Sequence, residues 1–202
     1  MSSWESNTIA EVIMCCLGKL PADIIIENIE IINVFTEEIV EGNIAIKNGR
    51  IARVGEINDI VSSKTIIIRG EDLYAAPAFI DAHIHIESSL LNVTEFAKAV
   101  IPHGTGAVIT DVHELANVLG PRAIKLFIEE AKNTPLDVYI MIPSCVPAAK
   151  GVDTAGGYIG LEEIEELIRM NGVIGLGEVM NYPAVLGADR EVLEKIKKVL
   201  DT

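Results

Sequence analysis

The sequence of 202 residues predicts an α/β fold: the N-terminal half of a (β/α)8, TIM-like barrel, preceded by a small all-β, sandwich-like unit. Three observations carry that expectation. Between about residues 23 and 74 the chain offers short runs rich in Ile and Val, and β-branched side chains favour strands. From Pro77 onward, four strand-like runs, apolar along their length, alternate with four helical ones, the pattern of a parallel sheet covered by helices. The residues able to do chemistry sit at the C-terminal ends of those strands, where such barrels build their sites. The expected organisation is therefore an N-terminal helix plus β unit over 1–76, and the first four β/α units of an incomplete barrel over 77–202.

Each element has a local cause. Residues 8–18 (TIAEVIMCCLG) read as a short helix, with Gly18 near its end and Pro21 beyond. The runs DIIIENIEIINVF, EIVEGNIAIKNGRIARVGE and KTIIIRGEDLYA read as strands, and Asn48-Gly49 is a two-residue hairpin signal. After Pro77, AFIDAHIHIE is a buried-type strand and VTEFAKAVI a helix capped by Thr94 or Asn92. GAVITDVHE, LDVYIMIPS and GVIGLGEVM are the next three strands. PRAIKLFIEEAKN, LEEIEELIRMNG and ADREVLEKIKKVL are the helices that follow them, the first with Pro121 in its first turn and the second closed by Asn171-Gly172.

Composition excludes several classes. The formal net charge is −14, and no Lys/Arg cluster able to displace duplex counterions is present, so a nucleic acid polymer is not an expected partner. Cys15, Cys16 and Cys145 form neither a disulfide framework nor a zinc ribbon, which points to reduced thiols and a cytoplasmic location. The apolar stretch Ile9 to Leu17 is interrupted by Glu11 and is too short to span a bilayer, so no membrane anchor is expected.

The most informative segment is Asp81-Ala-His83-Ile-His85-Ile-Glu87-Ser88-Ser89. Residues i and i+2 of a strand share a face, so His83 and His85 project two imidazoles together, a spacing suited to two nitrogens on one divalent ion. The bland alternative is imidazoles satisfied by backbone partners. All four histidines lie between positions 83 and 113, which favours the metal reading. His113 and Glu114 end the second strand and are candidates to orient substrate or a water, though a carboxylate favoured by a helix N-terminus is an equal reading of Glu114. Glu87, Ser88 and Ser89 are candidates to line a pocket, or simply to cap the turn. Cys145 has no base beside it in sequence and is not read as a nucleophile.

APAFIDAHIHIESS resembles the first barrel strand of the metal-dependent amidohydrolase superfamily, whose pattern is P-G-x-x-D-x-H-x-H. HIESSLLNVTEFAKAVIPHGTGAVITDVHELANVLG, VYIMIPSCVPA and NGVIGLGEVMNYPAVLGAD narrow the resemblance to the adenine deaminase family. Ala78 and Ala82 stand where that family usually has Gly, and family members run on for several hundred more residues. The resemblance implies that His83 and His85 are ligands, with Glu178 of GLGEVM the carboxylate that bridges two metals. Taken alone, Glu178 reads equally as the start of an exposed loop or a helix cap. The resemblance further implies two histidines and an aspartate from later strands, none of them in this sequence.

The implied activity is hydrolytic deamination of adenine to hypoxanthine and ammonia, with one or two divalent ions (Mn, Fe or Zn) activating a water. The cytidine-type alternative needs H-x-E with P-C-x-x-C. His85-Ile86-Glu87 meets the first half, but Pro143-Ser-Cys145-Val-Pro147 lacks the second Cys. A cyclic amidase or a deacetylase would share the H-x-H pattern. A non-catalytic fragment or subunit is the reading from outside enzymology. Half a barrel exposes a strand edge and apolar interior, so the chain alone is expected to be inactive and to self-associate or require a complementing C-terminal chain.

Overall fold

A computed structural model of the chain describes residues 6–149 and 151–202. It separates into two compact units, one running to Pro77 and one from Ala78 to Thr202. Residues 1–5 of the expected first unit lie outside the described residues.

In the first unit, helix α1 (Ser6–Cys16) precedes strands β1 (Ile24–Asn33), β2 (Glu38–Lys47), β3 (Arg50–Val54), β4 (Ile66–Arg69) and β5 (Tyr74–Ala75). They form one sheet of order β3-β2-β1-β4, with β5 also paired to β1. β1–β2 and β2–β3 are antiparallel, whereas β4 and β5 run parallel to β1. The β2–β3 turn is Asn48-Gly49 as expected, with φ of 51° and 70°, the positive values that a two-residue hairpin requires. Asp23 ties that turn to the start of β1: its carboxylate takes Lys47 Nζ at 2.7 Å and the Asn48 N–H at 2.8 Å.

Cys15 of α1 packs with Ala22, Ile25, Ala45, Ile57 and Ile60, so the helix supplies a layer against the sheet. Arg53 on β3 donates to the carbonyl of Cys16 at the helix C-terminus and pairs with Asp59. A cation suits the negative end of the helix dipole.

The second unit alternates strands and helices. Strands β6 (Phe79–Ile84), β7 (Thr105–Asp111), β8 (Asp137–Ile142) and β9 (Val173–Leu176) form a sheet in that order, and every pair is parallel. Helices α2 (Val93–Val100), α3 (His113–Leu119), α4 (Pro121–Ala131), α5 (Leu161–Leu167), α6 (Tyr182–Leu186) and α7 (Arg190–Leu200) fill the crossovers and the end. Asn92 caps α2, accepting the Glu95 N–H at 2.9 Å, which decides between the two caps read from sequence. The core joins Val108, Ile140 and Ile142 of the strands to Phe96, Ile124, Phe127, Ile164 and Leu167 of the helices.

Two details differ from the sequence reading. His113 and Glu114 open α3 instead of ending β7, which is the helix N-terminal alternative for Glu114, and α6 forms between the fourth strand and the fourth helix, where no element is expected. A five-residue α6 is too short for hydrophobic periodicity to register.

Candidate metal centre

β6 delivers His83 and, one residue past its end, His85; β9 is followed by Gly177 and Glu178. The strands are separated by β7 and β8, yet donor atoms of His83, His85 and Glu178 all lie within 4.8 Å of one another. Glu178 Oε1 is 3.3 Å from His85 Nε2 and 3.7 Å from His83 Nε2. Ligands about 2.0–2.1 Å from a tetrahedral ion stand roughly 3.3 Å apart, so the two edges at Glu178 match that spacing, and the third has to close from at most 4.8 Å. Two imidazole nitrogens and a carboxylate oxygen are also a donor set of suitable chemistry.

The second contacts of these side chains give them direction. His85 Nδ1 lies 2.8 Å from the Asp111 carbonyl, which assigns the proton to Nδ1 and leaves the Nε2 lone pair facing Glu178. Asp111 also reaches Glu178 directly, its Oδ2 accepting the Glu178 N–H at 3.1 Å. Asp111 thus engages two members of the triangle, one through its backbone and one through its side chain. Gly177 makes room for this, since a Cβ there would lie 1.9 Å from Asp111 Oδ2.

The region is rich in carboxylates. Asp111 is 1% exposed and its Oδ1 has no partner; burial pushes its carboxyl up, against the pull of the Glu178 N–H and of the nearby His113 and His85. Burial likewise pushes Glu87 up to about 7, although its Oε1 accepts the Leu115 N–H in the first turn of α3. Its Oε2 is buried, and the neighbouring Glu114 carboxylate raises it further. Partial burial raises Glu114, but the Ser88 hydroxyl and other hydrogen bonds bring it below the usual range. Glu114 Oε2 stands 3.4 Å from His85 Nδ1. Burial lowers His85, and the charges of Glu114 and its neighbours outweigh that and raise it.

Of the residues read from sequence, the structure brings His83, His85 and Glu178 together and sets Glu114 and Ser88 beside them. Ser89 turns its hydroxyl to the Ile86 carbonyl and the Leu91 N–H, which closes its own turn. His113 is buried at the start of α3. Asp111 was not singled out from sequence. The signal available was a carboxylate ending an otherwise apolar strand, where burial demands a purpose.

The two units and this centre define a class. The Amidohydrolase family profile matches residues 74–201, and the chain belongs to that family. It is 46% identical over 190 residues to the adenine deaminase of Moorella thermoacetica, covering 94% of this chain and 32% of that protein. It is also 46% identical over 192 residues to the adenine deaminase of Archaeoglobus fulgidus, covering 95% of this chain and 34% of that one. The chain thus spans about a third of the length of these curated relatives.

Among solved structures, it superposes on the zinc complex of atrazine chlorohydrolase TrzN from Arthrobacter aurescens with a TM-score of 0.55 at 19% identity, over 76% of this chain and 46% of that one. N-acyl-D-glutamate deacylase from Bordetella bronchiseptica, complexed with zinc and a phosphonate inhibitor, gives 0.56 at 16% identity, over 89% and 43%. These likenesses establish the barrel-type fold. No described helix is long and apolar enough to cross a membrane.

Proposed function

We propose that this chain carries the first part of the metal centre of an adenine deaminase, an enzyme that hydrolyses adenine to hypoxanthine and ammonia. The observation that carries the reading is the convergence of His83, His85 and Glu178, from strands β6 and β9, in a chain 46% identical to adenine deaminases over nearly its whole length. One or two divalent ions (Mn, Fe or Zn) suit these nitrogen and oxygen donors. A bound ion would supply the Lewis acidity that lowers the pKa of water towards about 7.

The protein's own groups do the rest. His83 and His85 offer Nε2, and the Asp111 carbonyl holds the second ring in place. Glu178 supplies the negative oxygen. Glu114, oriented by Ser88, is the carboxylate placed to take an N–H of the purine or to hold a water beside His85. Glu87 supports that arrangement by accepting the Leu115 N–H in the first turn of α3, and His113 is buried at the start of that helix, near Asp111. Ser89 shapes the turn. The three free thiols suit a reducing, cytoplasmic setting.

We further propose that the 202-residue chain by itself does not turn over adenine. β6 and β9 are each paired on one side only among the described residues, and Phe79 and Ile80 on β6 are 70% and 66% exposed. Such edges favour self-association or a complementing C-terminal chain. The test is ammonia release from adenine by the metal-loaded chain, alone and mixed with a C-terminal barrel half supplying two histidines and an aspartate. Turnover in the mixture only, lost with His83→Ala, supports the reading. A metal-loaded complementing pair without activity on adenine counts against the substrate, and turnover by the lone monomer counts against the need for a partner.

A further inference from the structure

The β8–β9 ladder ends with Ile142 opposite Leu176, and its last bond runs from the Gly177 N–H to the Ile142 carbonyl at 2.7 Å. Glu178 lies one residue further, where no strand partner remains. Two side chains take over there. Asp111 accepts the Glu178 N–H, and the hydroxyl of Ser144, two residues past the end of β8, donates to the Glu178 carbonyl at 2.5 Å. The peptide groups on both sides of the Glu178 Cα are therefore held, which limits the directions its carboxylate can take.

Ser144 is itself held from behind. Lys195 on α7 is only 5% exposed, and its Nζ lies 2.8 Å from the Ile159 carbonyl and 3.4 Å from the Ser144 carbonyl. Glu191 Oε1 stands 3.5 Å from the same nitrogen. A buried ammonium is unfavourable unless its donors are used. Here they join the segment after β8 to the segment before α5.

We infer that Ser144, braced by Lys195, is a positioning residue for Glu178, fixing the carbonyl side of its backbone so that the carboxylate meets His83 and His85. This rests on the metal centre proposed above. Neither residue touches the ligand atoms; they act through the Glu178 backbone. Removal of the hydroxyl leaves that backbone free to rotate away while leaving all three ligands in the chain.

The experiment is Co2+ titration of the full 202-residue chain, read by calorimetry and by the visible spectrum of the bound ion, with unfolding of the metal-free protein followed in parallel. Ser144→Ala and Ser144→Cys, the latter close in size but a weak donor, are expected to weaken Co2+ binding roughly 10- to 100-fold and to alter the spectrum, as loss of an orienting contact does. Ser144→Thr, which keeps the hydroxyl, is expected to restore both. Lys195→Met is expected to shift affinity and spectrum in the same direction as Ser144→Ala by a smaller factor, and it carries the test if the Ser144 variants do not fold. Parent-like affinity and spectrum in Ser144→Cys, or in Lys195→Met where it must stand alone, overturns the inference. A parent chain whose Co2+ uptake is unaffected by His83→Ala instead overturns the underlying centre.

Discussion

Asp111 accepts the backbone N–H of Glu178 at 3.1 Å while its own carbonyl meets His85 Nδ1 at 2.8 Å, so one residue of β7 links the ends of the two strands from which the candidate centre would be built. The space for that link is a missing side chain. Gly177→Ala would place a methyl group 1.9 Å from Asp111 Oδ2, and the carboxylate or the β9 end must move. We expect metal affinity to fall about 10- to 100-fold, as for loss of an orienting partner, with the first unit unaffected. Metal titration of the purified variant, with thermal unfolding in chelator as control, checks this.

The hairpin anchor in the first unit predicts a pH dependence. The hydrogen bond from Lys47, with that from the Asn48 N–H, holds the Asp23 carboxyl below its ordinary value. A depressed folded pKa gives stability that is present above the unfolded pKa of 3.8 and lost as pH falls through the lower folded one. Asp23 is nearly half exposed, so solvent screening limits the effect to about 0.5 kcal/mol. Asp23→Asn should therefore remove a small acid limb from the stability profile of the first unit between about pH 2 and pH 5 and leave the neutral-to-basic side nearly flat. Denaturant melts across that range would show it.

The core of the second unit is set by its central strands. Ile140 on β8 has no exposed surface and packs in the cluster that includes Ile124 and Ile164. Ile140→Ala should destabilise that unit by about 2–5 kcal/mol, the transfer loss plus the cavity left behind. Ile140→Val should cost about 0.5–1.5 kcal/mol. Urea denaturation followed by far-UV circular dichroism measures both.

Helix α2 begins at a cap visible in the sequence, and its loss has a defined size. Asn92→Ala removes the acceptor of the Glu95 N–H and should cost about 1 kcal/mol. Asn92→Asp, which keeps an oxygen and adds favourable charge at the helix N-terminus, should recover most of it. The same denaturation assay distinguishes the two.

The strands, the Asn48-Gly49 turn and the H-x-H pair were legible in the sequence because each depends on a local rule: β-branched apolar runs, φ above zero, a shared strand face. Glu178 was legible only through resemblance, since nothing local joins position 178 to positions 83 and 85; the parallel order β6-β7-β8-β9 does that. Asp111, Ser144 and Lys195 show the remaining gap. Their parts come from hydrogen bonds to the backbone of residues 67, 34 and 51 positions away, and backbone partners leave no trace in side-chain pattern. Helix α3 was legible only as the helix N-terminal alternative for Glu114, because a helix opening directly after a strand, without a Ser, Thr, Asp or Asn cap, carries little start signal.

The central claim is that His83, His85 and Glu178 together hold a divalent ion, and equilibrium dialysis of the chain against Mn2+ or Zn2+, with metal content read per chain, tests it most directly. The account predicts specific uptake by the parent chain that is lost in His83→Ala, His85→Ala and Glu178→Ala and retained in His103→Ala, whose side chain lies outside the centre. Uptake unchanged by the first three substitutions, or absent from the folded parent, would contradict it.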